Sequence, residues 1–220
     1  KYTIQNGFNT GVAITFPGSG YIDFHGENIL AISARGILAY GTINDKTIKF
    51  NQIKNNIYKY ISVDQFSKGN EFSIKDLHIH NNKIYVSYIE EIKNNCWNTS
   101  LIYADFNFIE IKFNKLFSDE KCIHSKNNVD KEFNPNQSGG RIISKNDNEI
   151  FFSTGEYRSR FLAQDVSSFN GKLIKINIET KEKKIIAMGL RNPQGLYYNL
   201  EKNFILETEH GPFGGDEINL

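Results

Sequence analysis

One phrase recurs along this chain of 220 residues. Two short apolar-rich runs flank a tight cluster of Gly, Asn or Asp. It occurs at residues 20–34 ("GYIDFHGENILAISA"), 75–88 ("KDLHIHNNKIYVSY"), 140–155 ("GRIISKNDNEIFFSTG") and 195–208 ("GLYYNLEKNFILET"). Many of these runs alternate with the period of two that a half-buried strand requires, as do Lys172, Ile174 and Ile176 against Leu173, Lys175 and Asn177. The connectors "HGEN", "HNNK", "KNDNE" and "NLEKN" supply residues that tolerate positive φ or cap a turn through their side chains. Helical periodicity is hard to find, so the chain reads as all-β and antiparallel. Each hairpin is followed by further strands before the next begins, a few tens of residues on. A β-sandwich has no need of such a repeat, whereas propeller blades are built from it. The expectation is a β-propeller of which residues 1–220 form about four blades in one partial domain, with the C-terminal blades missing.

Composition limits the functions open to such a fold. A formal net charge of +1 implies no basic face for nucleic acid. No run approaches the ~18 consecutive apolar residues of a membrane span. The first residue is Lys1 rather than Met, as expected after signal-peptide removal or for a fragment. Cys96 and Cys122 lack C-x-x-C spacing and a surrounding His cluster, which argues against structural zinc. They read either as one disulfide or as two buried thiols, according to compartment.

The closing stretch "GLRNPQGLYYNLEKNFILETEHGPFGGDEINL" is the most specific text in the chain. Pro193 should force Asn192 into an extended conformation, and Gly195 should permit a tight turn into the strand Leu196–Tyr198. Arg191 and Asn192 then stand at a strand entrance, at one end of a propeller channel. Gly211, Pro212, Gly214 and Gly215 imply an irregular loop with carbonyls free to face a ligand. With Glu209, Asp216 and Glu217 nearby, these oxygens suit a hard cation such as Ca²⁺, and Arg191 suits a bidentate carboxylate. The bland alternative is that these charges pair among themselves and the glycines serve turn geometry.

"GLRNPQGLYY" followed by "TEHGPFGGDEINL" resembles the signature of the soluble PQQ-dependent glucose and aldose sugar dehydrogenases, the glucose/sorbosone dehydrogenase family. "NQSGGRIISKNDNEIFFSTGE" and "AQDVSSFNGKLIKIN" resemble two further family segments in the correct order. The resemblance is strong from about Asn136 to Leu220, and weaker over "GYIDFHGENILAISARGILAY" and "LHIHNNKIYVSYIEE". It implies a six-bladed propeller that binds pyrroloquinoline quinone (PQQ) near one end of its channel, with Ca²⁺ polarising the quinone. A histidine takes the sugar C1 hydroxyl proton while hydride passes to the quinone, and a carboxylate orients that histidine. Position by position, Arg191 and Asn192 match the cofactor-binding pair. Gly211 and Pro212 match the metal-binding carbonyls, and Glu156 matches the carboxylate. Arg141 follows the histidine segment and receives no catalytic role. The implied partners are a sugar substrate and an unspecified electron acceptor, in the periplasm or outside the cell.

The histidine itself does not match. Counting back from Arg141 places its position at Gln137, and the His-Gln-Ser-Gly form of the motif places it at Asn136. A neutral carboxamide is no general base near pH 7, although it can hydrogen-bond a sugar hydroxyl or a quinone oxygen. His124 lies well upstream and carries no motif, while His210 belongs to the family pattern "EHGP". Glu156 is the candidate replacement base, since burial would raise its pKa. In "KGNEFSIKDLHI", where the family offers a glutamine to PQQ, Asn70 and Glu71 are assigned no role. The competing expectation is a non-catalytic propeller that binds a sugar, a quinone or a protein. His78 and His80 read as strand-face decoration before a metal pair, Trp97 as a loop anchor before a sugar platform. Arg158–Arg160 read as attracting an anionic ligand, and Lys181–Lys184 as a solvated turn.

Overall fold

The structure is a computed structural model that describes residues 3–4, 20–43 and 47–220. In chain order its strands are β1 (Thr3–Ile4), β2 (Gly20–His25), β3 (Asn28–Ser33), β4 (Leu38–Thr42), β5 (Thr47–Ile48), β6 (Asn51–Asn55), β7 (Ile74–His80), β8 (Lys83–Lys93), β9 (Cys96–Asp105), β10 (Glu110–Ile111), β11 (Asn114–Phe117), β12 (Ile123–His124), β13 (Gly139–Ser144), β14 (Glu149–Thr154), β15 (Lys172–Asn177), β16 (Lys183–Met188), β17 (Pro193–Asn199), β18 (Phe204–Glu209) and β19 (Glu217–Asn219). Four sheets follow one another as propeller blades: β2–β3–β4–β6 with β10 added in parallel, β7–β8–β9–β11 with β12 also on β9, β13–β14–β15–β16, and β17–β18–β19. The expected hairpins are the two inner strands of each blade. Their turns hold Gly26, Asn81 and Asn203 at positive φ, and the Asn146 side chain accepts from the backbone amides of Asn148 and Glu149.

Apolar residues on alternating strand positions fill the spaces between blades. Leu30, Ile32 and Leu38 pack with Ile84, Val86 and Ile102 between the first two. Tyr85, Leu101 and Phe117 pack with Ile150, Phe152 and Ile174 between the second and third. Phe151 and Leu173, on the opposite face of the third blade, pack against Leu196, Tyr198 and Ile205 of the fourth. The third blade is thus apolar on both faces, and β15 is covered on both sides rather than half-buried. Lys172 is wholly buried there, and its ammonium donates to the carbonyls of Leu162, Ala163 and Asn170 at 2.7–2.9 Å.

Two local expectations change, and one left open is settled. Gly195 lies inside β17, at a register shift between Pro193 and Gly195, and makes no turn. A Cβ there would come within 2.5 Å of Thr208 Oγ1, so glycine serves strand approach. Trp97 is a buried residue of β9 stacked on Phe72 at 3.8 Å, not a loop anchor. Cys96 and Cys122 form a disulfide, which ties the segment carrying β12 back onto β9.

The disulfide closes a separation of 26 residues, and removing it should cost about 3 kcal/mol through the larger entropy of the open unfolded chain. Replacing both cysteines by Ala should therefore lower the urea midpoint, to an extent that reducing agent cannot deepen. A second expectation concerns Glu207, buried in β18, where Oε1 has no partner and Asn219 Nδ2 reaches the other oxygen at 3.0 Å. Burial pushes its pKa up to about 7 from 4.5, against the opposing Asn219 bond. A raised folded-state pKa means that the contribution is complete below the unfolded value and is lost as pH rises through about 7. Glu207→Gln should gain stability relative to the unsubstituted chain between about pH 5 and about pH 8, read from urea midpoints at both.

Candidate functional site

Four segments meet at the end of the blades where the inner strands begin: residues 134–138 before β13, 155–160 after β14, 191–192 before β17, and 210–216 between β18 and β19. Backbone hydrogen bonds join them. Gly155 N donates to Ser138 O (2.7 Å), Tyr157 N to Gln137 O (2.9 Å), and Glu156 N to Arg191 O (3.0 Å). A Cβ on Gly155 would sit 2.2 Å from Gln137 O, so only glycine allows the first two segments to touch. After Glu156 the chain turns through two consecutive left-handed residues, Tyr157 (φ 53°) and Arg158 (φ 68°). Such a conformation in non-glycine residues persists only where surroundings enforce it. Here the buried Tyr157 phenol bonds Thr99 Oγ1 at 2.6 Å, and its ring stacks on Phe133.

Gln137, not Asn136, faces Glu156. Asn136 is exposed, whereas Gln137 and Glu156 are 7% and 2% exposed. With the Gln137 amide oriented to satisfy both ends, Nε2 donates to Glu156 Oε1 (3.1 Å) and Oε1 accepts from Arg191 Nη2 (2.8 Å). The second guanidinium nitrogen, Nη1, donates to the carbonyls of His210 (2.9 Å) and Gly211 (2.7 Å). The polar chain Glu156–Gln137–Arg191–Gly211 therefore unites the residues singled out for catalysis, cofactor and metal. Burial raises the Glu156 pKa, opposed by the charges of Arg160 and Arg191 and by the Arg158 amide.

Asn192 is also buried, and its Oδ1 accepts from Gly139 N (3.2 Å) and Gln194 Nε2 (2.9 Å). Glu209, which the sequence suggested for a cation, instead accepts at one oxygen from the backbone amides of Arg191 (2.5 Å) and Asn192 (3.2 Å). It fixes the pair that points into the site. Its hairpin register, with Pro193 opposite Glu209, was the signal that would have found this role. Asp216 serves the loop itself, accepting from Gly211 N at 3.0 Å. Arg158 and Arg160 lie on Glu132 at 3.6 and 2.9 Å, so a protein carboxylate already engages the pair expected to attract an anion. Pro212 O accepts from Gly215 N (3.0 Å).

The other sequence candidates lie elsewhere. His124 caps a turn, its Nδ1 accepting from Lys126 N and Asn127 N. Arg141 pairs with Asp76 at 3.2 Å and lies over Tyr21. His78 bridges Asp23 (3.3 Å) and Ser144 (3.0 Å), while His80 lies 3.0 Å from Asp147. Although Asp23, His78 and Ser144 are ordered like a proton relay, His78 Nε2 also takes the Ser144 backbone amide at 3.1 Å. The trio reads as a link between blades.

The oxygens at residues 210–212 suit a hard cation. They are neutral carbonyls, and two of them already face a positive group, the Arg191 guanidinium. The Arg191 guanidinium, hydrogen-bonded to no carboxylate among the described residues, suits an anionic ligand.

The sequence model of the Glucose / Sorbosone dehydrogenase family matches residues 71–220. The aldose sugar dehydrogenase YliI of Escherichia coli (strain K12) is 37% identical over 98 residues, covering 39% of this chain and 26% of that protein. The apo structure of the soluble aldose sugar dehydrogenase from Escherichia coli superimposes with a TM-score of 0.69 at 22% identity, over 90% of this chain and 59% of that one. The PQQ-bound aldose sugar dehydrogenase from Streptomyces coelicolor gives 0.70 at 17% identity, over 93% and 60%. At such identities the superpositions establish the fold, a β-propeller, and this chain spans about 60% of those structures' length. With more than half its residues inside the matched region, the chain belongs to the glucose/sorbosone dehydrogenase family.

Proposed function

We propose that these blades carry the cofactor-holding part of a quinoprotein that oxidises the C1 hydroxyl of an aldose. The observation that carries this reading is the polar chain from the buried Glu156 and Gln137 to the half-buried Arg191, which ends on the Gly211 carbonyl. Arg191 and the Asn192 amide hold the anionic PQQ, and the Gly211 and Pro212 carbonyls hold Ca²⁺. When bound, PQQ supplies the acceptor for the hydride leaving C1, and Ca²⁺ supplies the positive charge that polarises the quinone.

The remaining chemistry belongs to the chain. Glu156 is the ionisable group of the set with a raised pKa, a direction that improves a carboxylate as a base near neutral pH. It takes the proton of the C1 hydroxyl, and Gln137 holds its other approach by donating to Oε1. The Cys96–Cys122 disulfide supports placement in an oxidising compartment, the periplasm or the cell exterior. No helix among the described residues is long and apolar enough to cross a membrane.

A second reading follows from Gln137 itself. A carboxamide has no titratable lone pair, and in its place between Glu156 and Arg191 it occupies the position from which a base would act. On that reading the propeller binds a quinone or sugar without turnover.

Titrating the full-length protein with PQQ, with and without Ca²⁺, and then adding an aldose separates the two. Ca²⁺-dependent binding followed by sugar-driven reduction of the quinone spectrum is the expected result. Binding without reduction selects the second reading in its quinone form, and no PQQ binding sinks the quinone hypothesis and leaves a propeller that recognises a sugar or a protein. In an active protein, Glu156→Gln should slow quinone reduction by about 10²–10⁴-fold while PQQ binding changes little, as stopped-flow absorbance would record.

A further inference from the structure

The Arg191 guanidinium lies on a carbonyl that the proposed Ca²⁺ would use. Its guanidinium reaches the carbonyls of His210 and Gly211 through Nη1 and the Gln137 carboxamide oxygen through Nη2. All three acceptors are neutral. Gln137 stands between the guanidinium and Glu156, and one Glu209 oxygen accepts from the backbone amides of Arg191 and Asn192 rather than from the guanidinium. The guanidinium therefore has no hydrogen-bonded counter-ion, and Glu156 acts on it only through space across Gln137.

The acceptor side is rigid. Gly211 N is held by Asp216, and Gly215 N closes the loop onto Pro212 O. A Cβ on Gly211 would lie 1.6 Å from Gly215 O, so the loop is folded tightly upon itself. The backbone of Arg191 is likewise fixed, by Glu209 and by the bond from Glu156 N to Arg191 O. The Arg191 side chain, by contrast, is held only by its hydrogen bonds to the three neutral acceptors.

We propose that the Arg191 guanidinium is an internal stand-in cation that competes with Ca²⁺ for the Gly211 carbonyl, so that an anion drawing Arg191 away is required for tight Ca²⁺ binding. This rests on the reading of Gly211 and Pro212 as metal donors. A cation on Gly211 O must either share that oxygen with a positive group 2.7 Å away or displace it. Like charges at such separation repel, and the partial exposure of Arg191 and Gly211 moderates that repulsion without removing it. A carboxylate offers the guanidinium paired, charge-assisted bonds that are stronger than those from neutral carbonyls and a carboxamide. Anion and metal are thereby coupled through one side chain, in addition to any contact they make with each other, and by linkage each tightens the other.

The test is calorimetric titration of quinone-free, full-length protein with Ca²⁺ alone, comparing the unsubstituted chain with Arg191→Met. The expected result is Ca²⁺ binding at least ~10-fold tighter in the variant, a coupling of ordinary size. Should Arg191→Met lack native circular dichroism, Arg191→Gln gives the same readout. Equal or weaker Ca²⁺ binding by a folded neutral variant overturns the inference while leaving the metal site standing. Absence of Ca²⁺ binding by both proteins, with PQQ present as well as without it, overturns the metal site and the inference together.

Discussion

The first strand of each blade has an edge with no strand beside it, and the molecule depends on side chains that cap it. Asp23 on β2 accepts from Ile79 N on β7 at 2.6 Å, and Asp76 on β7 accepts from Ile142 N on β13 at 2.9 Å. His78 reaches Ser144 in the same sense, and Arg141 returns to Asp76 from the next blade. An uncapped buried amide costs about 1–3 kcal/mol, comparable to a whole net hydrogen bond or more. These links set the angular position of one inner strand against the next, while the apolar clusters between blades supply the attraction.

The site inherits its geometry from that arrangement. Its segments are brought together because β13 and β17 begin at the same end of neighbouring blades, and Gly139 N reaches the Asn192 side chain there. Gly155 lets the loop after β14 lie directly against the backbone of Gln137. Once those backbones touch, Gln137 has a carboxylate on one side and a guanidinium on the other, and its amide bridges them. A positive group on the carbonyls at 210–211 and a carboxylate with a raised pKa about a side chain away are the electrostatic content of the site.

Much of this was legible before folding. The four hairpins could be located because Gly26, Asn81 and Asn203 mark the turns between alternating runs. Gln137 and Asn136 could not be separated by counting. The ambiguity of one residue was resolved when the turn before β13 sent Asn136 to solvent and Gln137 inward. The role of Glu209 was not legible because its carboxylate lies beside a loop rich in potential ligands, and only the β17–β18 register shows one of its oxygens accepting from two amides. Gly195 read as a turn because glycine after proline commonly is one, but close approach to Thr208 was the demand it met.

The sequence by itself determined the strand class, the repeat, the family, and which residue types could meet a quinone, a cation or a proton. Those properties are local: turn chemistry, period-two burial, and motifs whose members are a few residues apart. Tertiary structure alone decided that Cys96 meets Cys122. It also decided that Arg158 and Arg160 share Glu132, and that Arg191 spends its charge on Gln137 and the carbonyls at 210–211. Each of these pairs is separated by roughly twenty residues or more, and which partner a charged side chain takes depends on the angle between blades. No local pattern encodes that angle; it is set by the side-chain links between inner strands and by how the apolar faces pack.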